Sequence, residues 1–242
     1  MDNNTVIAME ISFNILYLIV IWGLVFSMFR KQSQVQASDQ AVGKGFLWAF
    51  FLLALGDTGH VGFRVWAYAL GDLSSTITLF DIPVGLVGVG ALSTAYTVTL
   101  FYMLMLVIWK KRTNNAYTWF GWLLFIIAGV RLLWMALPGN EWNSVVPPQP
   151  MSLYRNALLT IQGLGVAFLI LRDARVEKDT LFNKIGIFIL LSYAFYIPVI
   201  LFVQKVPMIG MLMIPKTLMY VAIAWLAYKQ LFSPRASQSA RV

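Results

Sequence analysis

Seven apolar runs, each close to the length of a membrane-crossing helix, dominate this chain. They fall at about 7–29, 46–70, 84–109, 118–137, 153–171, 185–203 and 208–228. An α-helix rises about 1.5 Å per residue, so roughly 20 apolar residues cross the hydrocarbon core of a bilayer. Soluble domains are about 45–50% apolar and about 25% charged, whereas this chain is 60% apolar and 12% charged. A soluble fold of this size could not hide that much apolar surface. The expected architecture is an all-α membrane protein, a seven-transmembrane-helix bundle forming one domain over 1–231. A polar tail over 232–242 is expected to be disordered and cytoplasmic. Seven spans leave ~88 residues for tails and loops, so no connection holds a second globular domain. Any signalling output would then need a separate chain. The first run is too long for a signal-peptide core, and no basic residue precedes it. It reads as a retained first helix.

The basic residues orient the bundle. Arg30, Lys31 and Lys44 follow span 1, and Lys110, Lys111 and Arg112 follow span 3. Arg172, Arg175, Lys178 and Lys184 follow span 5, and Lys229, Arg235 and Arg241 end the chain. That places thirteen of the 18 Lys and Arg residues on one side. The opposite side has Lys205 in a connection and is otherwise acidic, with Asp2, Asp72, Asp81 and Glu141. Basic loops stay in the cytoplasm, so the N-terminus is expected outside and the C-terminus inside. The net charge of +8 then reports topology and attraction to membrane lipids, and no nucleic-acid partner is expected. Trp48, Trp109, Trp119, Trp122 and Trp225 fall near inner span ends, and Trp66, Trp134 and Trp142 near outer ends, as an aromatic belt requires. With no cysteine and one histidine, thiol chemistry, disulfides and multi-histidine metal sites are excluded, and no metal is expected.

A charged side chain inside a span is costly and by default points to function. Setting topology charges aside leaves Asp57, Arg64, Arg131, Arg155 and Lys216, plus His60, and Glu10 near a span end. At about 100° per residue, Asp57, His60, Arg64 and Tyr68 share an arc of roughly 80° on span 2. Arg131 lies in the outer third of span 4, and Arg155 and Asn156 open span 5. Glu10 and Asn14 share the outer end of span 1, and span 3 adds Ser93, Thr94, Tyr96 and Thr97. Tyr193 and Tyr196 precede Pro198 in span 6. Lys216 follows Pro215, which should bend span 7, and Tyr220 lies one turn deeper. Glu141, Trp142 and Asn143 are placed to cover an opening. Together these residues predict an outward-facing cationic pocket. Four cations face at most three carboxylates, so an anionic ligand would complete the balance. Each residue also has a structural reading. Asp57 and Arg64 would brace helices, and Arg131 and Arg155 would anchor at the outer interface. The glycines at 85, 88 and 90 read as close helix packing, and PPQP at 147–150 as a stiff connector.

The spans and the last-span lysine give a distant topological resemblance to the microbial rhodopsins. That resemblance would put retinal on Lys216; the residues themselves call for no cofactor. In departure from that family, span 3 holds no acidic residue. A nearer resemblance is to an uncharacterised bacterial seven-transmembrane protein family. It rests on GDxxHxxxR at 56–64, NEW at 140–142, YRN at 154–156, FYIP at 195–198 and IPKT at 214–217. It implies a bacterial cytoplasmic membrane location and supplies no activity.

Three functions stay open at this point. In the first, the pocket binds or transports a small anionic or amphipathic ligand, held by Asp57, His60, Arg64, Arg131, Arg155, Tyr193, Tyr196 and Lys216. In the second, the chain is an intramembrane enzyme acting on a lipid-like substrate, with Asp57, His60 and Lys216 as candidate catalytic groups. In the third, Lys216 carries a retinal-type chromophore.

Overall fold

The computed structural model describes residues 3–79 and 81–233. Asp2, the Glu10 side chain and the tail from 234 onward lie outside the described residues. Seven α-helices make up the fold: α1 (Asn3–Arg30), α2 (Gln40–Ala69), α3 (Leu86–Thr113), α4 (Trp119–Met135), α5 (Met151–Val176), α6 (Thr180–Phe202) and α7 (Met213–Ala227). Six of the helical segments are long and apolar enough to cross a membrane, and α4, with 17 residues, is shorter. Neighbours in sequence are neighbours in space, α7 returns to α1, and α3 also touches α5.

Each helix turns one stripe inward. In α1 the buried stripe is Tyr17, Ile21, Val25 and Met28, at helical spacing. Leu16, Ile19, Phe26 and Phe29 on its other side are exposed, as lipid-facing residues would be. Lipid tails are as apolar as leucine, so helix association in a bilayer relies on close packing and interhelical hydrogen bonds. The α2–α3 seam shows how the sequence provides both. A Cβ at Gly56 would run into the Thr97 side chain, and one at Gly59 would meet Ser93. From α3, Gly90 lies against the backbone of Gly59 and His60. Glycine here is a requirement of close approach, as the sequence reading of Gly90 anticipates.

The connection between α2 and α3 is a hairpin, β1 (Thr76–Leu79) and β2 (Ile82–Gly85), paired from Thr76↔Gly85 to Leu79↔Ile82. The sequence reading starts the third span at 84, but Ile82–Gly85 is strand and the helix begins at Leu86. Asp81 takes a left-handed φ of 62° at the turn, which Asp tolerates better than most residues. Before the hairpin, the Asp72 carboxylate accepts from the Ser74 hydroxyl and backbone N–H at 2.5 and 2.6 Å. Those bonds hold its carboxyl below the ordinary aspartate value.

At the opposite end Arg112 donates to Asp39 and Asp179, both at 2.6 Å. It ties the end of α3 to the α1–α2 and α5–α6 connections. Trp109 is buried rather than interfacial, and its indole donates to Asp173 at 2.9 Å. It therefore leaves the aromatic belt, whereas Trp48, Trp119, Trp122, Trp225 and Trp66 are exposed. The last span also differs from expectation. A 3-10 segment, Pro207–Leu212, precedes α7, and a π-helical turn, Tyr228–Phe232, follows it. Pro215 falls in the first turn of α7, where backbone N–H groups have no intrahelical acceptor. The expected bend is thus a change of helix type before the proline. The π turn also carries helical structure to Phe232, one residue into the expected tail.

Candidate functional site

The site grows out of the α2–α3 seam. With Gly56 and Gly59 bringing α3 close, Thr94 reaches Asp57 and donates to Oδ1 at 2.7 Å. Tyr17, on the buried stripe of α1, donates to Asp57 Oδ2 at 2.6 Å. Both carboxylate oxygens are thereby satisfied by hydroxyls from two neighbouring helices. The structural reading of an Asp57–Arg64 brace is not met: among the ion pairs of the described residues none joins the two. His60, Arg64 and Tyr68 lie along the same half-buried face of α2, successively nearer the hairpin.

Arg131 is 2% exposed and stitches three helices. From α4 its Nε donates to the Arg155 carbonyl on α5 at 2.8 Å, and Nη1 to the Ala95 carbonyl on α3 at 2.7 Å. Nη1 also meets the Thr99 hydroxyl. A guanidinium so enclosed does not snorkel to the interface. Arg155 is also buried, against the expectation of a surface anchor. Its guanidinium stacks 4.2 Å from the Trp142 ring and donates to Asn140 Oδ1 at 3.2 Å. Asn140 and Trp142 are fixed in turn by the Trp134 and Met135 carbonyls, at 2.7 and 2.9 Å. Asn143 accepts from the Gly85 N–H at 2.9 Å. The Trp142 carbonyl fills the place of a Cβ on Gly88. The 140–143 segment thus caps the end of α3 beside Arg155, close to the covering role read for Glu141, Trp142 and Asn143.

Lys216 enters from the first turn of α7, half-buried. Its ammonium lies 4.4 Å from the Tyr196 ring centre and 5.8 Å from that of Tyr220. It makes no hydrogen bond or ion pair among the described residues. Thr94, which holds Asp57, directly precedes Ala95, whose carbonyl accepts from Arg131. Tyr196 donates to Asn156 Oδ1 at 3.2 Å.

Phenols line the interior beside these charges. The Tyr102 and Tyr220 hydroxyls are 2.7 Å apart, and Tyr193 donates to the Leu159 carbonyl at 2.9 Å. Ring centres of Tyr102 and Tyr193 are 5.8 Å apart, and those of Tyr193 and Tyr196 6.1 Å. Gln162, fully buried, donates to the Thr99 carbonyl at 3.3 Å, while its Oε1 has no hydrogen-bond partner among the described residues.

The structure therefore brings Asp57, Arg131, Arg155, Tyr193, Tyr196 and Lys216 into one linked group, with His60 and Arg64 further along α2. Tyr17, Thr99, Tyr102 and Gln162 belong to the group and were not singled out by sequence. The signal for Gln162 is a lone amide in an apolar run; for Tyr17 it is its place on an i, i+4 stripe. Among the described residues no three of His, Asp and Glu come together to hold a metal.

Fold and composition define an all-α integral membrane protein with polar and charged side chains gathered among its helices. No protein-family model, curated protein or solved structure matches this chain.

Proposed function

We propose that this protein is a seven-span bundle, N-terminus out, whose cationic interior takes a small anionic or amphipathic ligand from the outer side of a bacterial cytoplasmic membrane. One observation carries the reading: Arg131, Arg155 and Lys216 are gathered with Asp57 as the one carboxylate among the described residues there, and it is occupied by hydroxyls. None of the three cations forms an ion pair among the described residues. Unpaired charge in a low-dielectric interior is costly, and a ligand carboxylate or phosphate would offset it through groups suited to such oxygens. Arg131 has its Nε and one Nη bound to the protein, so its part is to fix the shape and charge of the site. Lys216, which makes no hydrogen bond among the described residues, is the cation that would engage a ligand. Tyr193, Tyr196 and Tyr220 supply an apolar wall for the rest of an amphipathic molecule. The 17 residues of α4 fall at the lower end of the roughly 17–25 that cross a bilayer, which allows the seventh span by modest local thinning.

Thermal melting with a matched panel tests this. Short-chain carboxylates and phosphate monoesters are added beside their neutral amide and alcohol analogues, to wild type and Lys216→Met. At a ligand concentration of about 100 Kd a bound anion adds ~2.7 kcal/mol. The reading requires anion-selective stabilisation in wild type and its loss in the variant. Equal shifts in both proteins, or with the neutral analogues, would refute it.

A further inference from the structure

A second feature stands on observations independent of the cationic interior. The outer faces of α5 and α6 form a groove of about 350 Å³, walled by Leu164, Phe168, Leu171 and Leu190 and ending in Arg172 and Arg175. At about 1.5 Å per residue, Leu164 lies ~12 Å deeper than Arg172, and Leu190 ~15 Å deeper than the start of α6. The groove therefore runs from the arginine-bearing helix end toward mid-membrane. Phe168 and Leu190 are exposed along it.

The arginine end is built. Asp173 accepts from Arg172 Nε at 2.6 Å and from Nη2 at 3.0 Å. That carboxylate is itself clasped by Trp109 at 2.9 Å and Asn115 at 3.3 Å. The clasp fixes the Arg172 guanidinium at the rim and leaves its Nη1 without an acceptor among the described residues. Arg175 is exposed and makes no hydrogen bond or ion pair among the described residues. Asp173 thus pairs with Arg172, and the charge of Arg175 adds to it at the mouth of an apolar channel.

We propose that this groove is a binding site for one anionic phospholipid, its phosphate on Arg172 and Arg175 and an acyl chain along Phe168 and Leu164. Guanidinium forks suit phosphate oxygens, and basic recesses between spans at a membrane surface hold such headgroups. The commitment to a lipid over a free phosphate comes from the apolar walls, which a soluble anion would leave uncovered.

The test uses the full chain in bilayer nanodiscs of equimolar phosphatidylglycerol and phosphatidylcholine, followed by native mass spectrometry of the lipid retained on release. Wild type should keep phosphatidylglycerol in preference to phosphatidylcholine. Arg175→Gln, which removes no hydrogen bond or ion pair among the described residues, should hold it about fivefold less. Lys44→Gln, an exposed charge at the same end of the bundle, should behave as wild type. Added inorganic phosphate should not displace the lipid. Equal retention of the two lipids, wild-type retention by Arg175→Gln, an equal loss in Lys44→Gln, or displacement by phosphate would each overturn the assignment.

Discussion

Gly163→Ala tests whether the tyrosine cluster is held by shape. On α5 the position of a Cβ at Gly163 is already occupied by the Tyr193 ring and hydroxyl. Tyr193 cannot easily retreat. Its hydroxyl is bonded to the Leu159 carbonyl at 2.9 Å, one turn earlier on the same helix, and its ring meets Tyr102 and Tyr196 at 5.8 and 6.1 Å. Forcing an extra methyl into such a place costs ~1–3 kcal/mol. Breaking the hydroxyl bond as the ring shifts costs ~1 kcal/mol more. Alanine returns up to ~1 kcal/mol through its better helix propensity. The net expectation is a loss of about 1–3 kcal/mol. Gly129→Ala is the matched control, since nothing lies within 4 Å of its Cβ position. It should equal wild type or gain up to ~1 kcal/mol. Equilibrium unfolding in mixed micelles with rising denaturing detergent measures both, and near-ultraviolet circular dichroism follows the tyrosines directly. If Gly163→Ala and Gly129→Ala agree within ~0.5 kcal/mol, the close packing described for Tyr193 is wrong.

Thr99→Val should cost about 1–3 kcal/mol in the same assay, because it leaves a donor of the buried Arg131 without its hydroxyl acceptor; an unchanged unfolding midpoint contradicts that bond. Asp72 should titrate by carbon-detected NMR below the free aspartate value of ~3.9, and Ser74→Ala should raise it. Because the folded value is depressed, the contribution to stability is present above the ordinary value and is lost as pH falls through the folded one. A midpoint that ignores Ser74→Ala removes the explanation. Because the chain has no cysteine, Ser74→Cys and Glu177→Cys give clean topology reporters. A membrane-impermeant maleimide should label the first in intact cells and the second only after permeabilisation, and the reverse pattern would invert the proposed orientation.

Much of the architecture was legible because the bilayer imposes simple rules. Apolar length located the helices, and Gly90 was correctly read as a helix-packing position, whereas Gly88 meets the Trp142 carbonyl and Gly85, in a strand, meets Asn143. The hairpin at Thr76–Gly85 escaped because its strands are four residues each and border a span of similar apolarity. Trp109 was misplaced because tryptophan near a span end marks an interface unless a buried partner such as Asp173 claims its N–H, and that partner is remote in sequence. Charge rarity identified Asp57, Arg131, Arg155 and Lys216, but their partners lie on other helices. Thr94 and Tyr17 displaced Arg64 as the partners of Asp57, since rotation about each helix axis decides such pairings. Neutral contributors such as Tyr102 and Thr99 carry no anomaly in a sequence and become visible through the guanidinium and phenols they touch.

Native mass spectrometry of the protein released from mild detergent, comparing wild type with Lys216→Met, addresses the central claim most directly. The account predicts an anionic species bound to wild type and missing from the variant, while both retain the same melting behaviour once that species is removed. An identical set of bound species in the two proteins would contradict it, leaving Lys216 a packing residue over Tyr196.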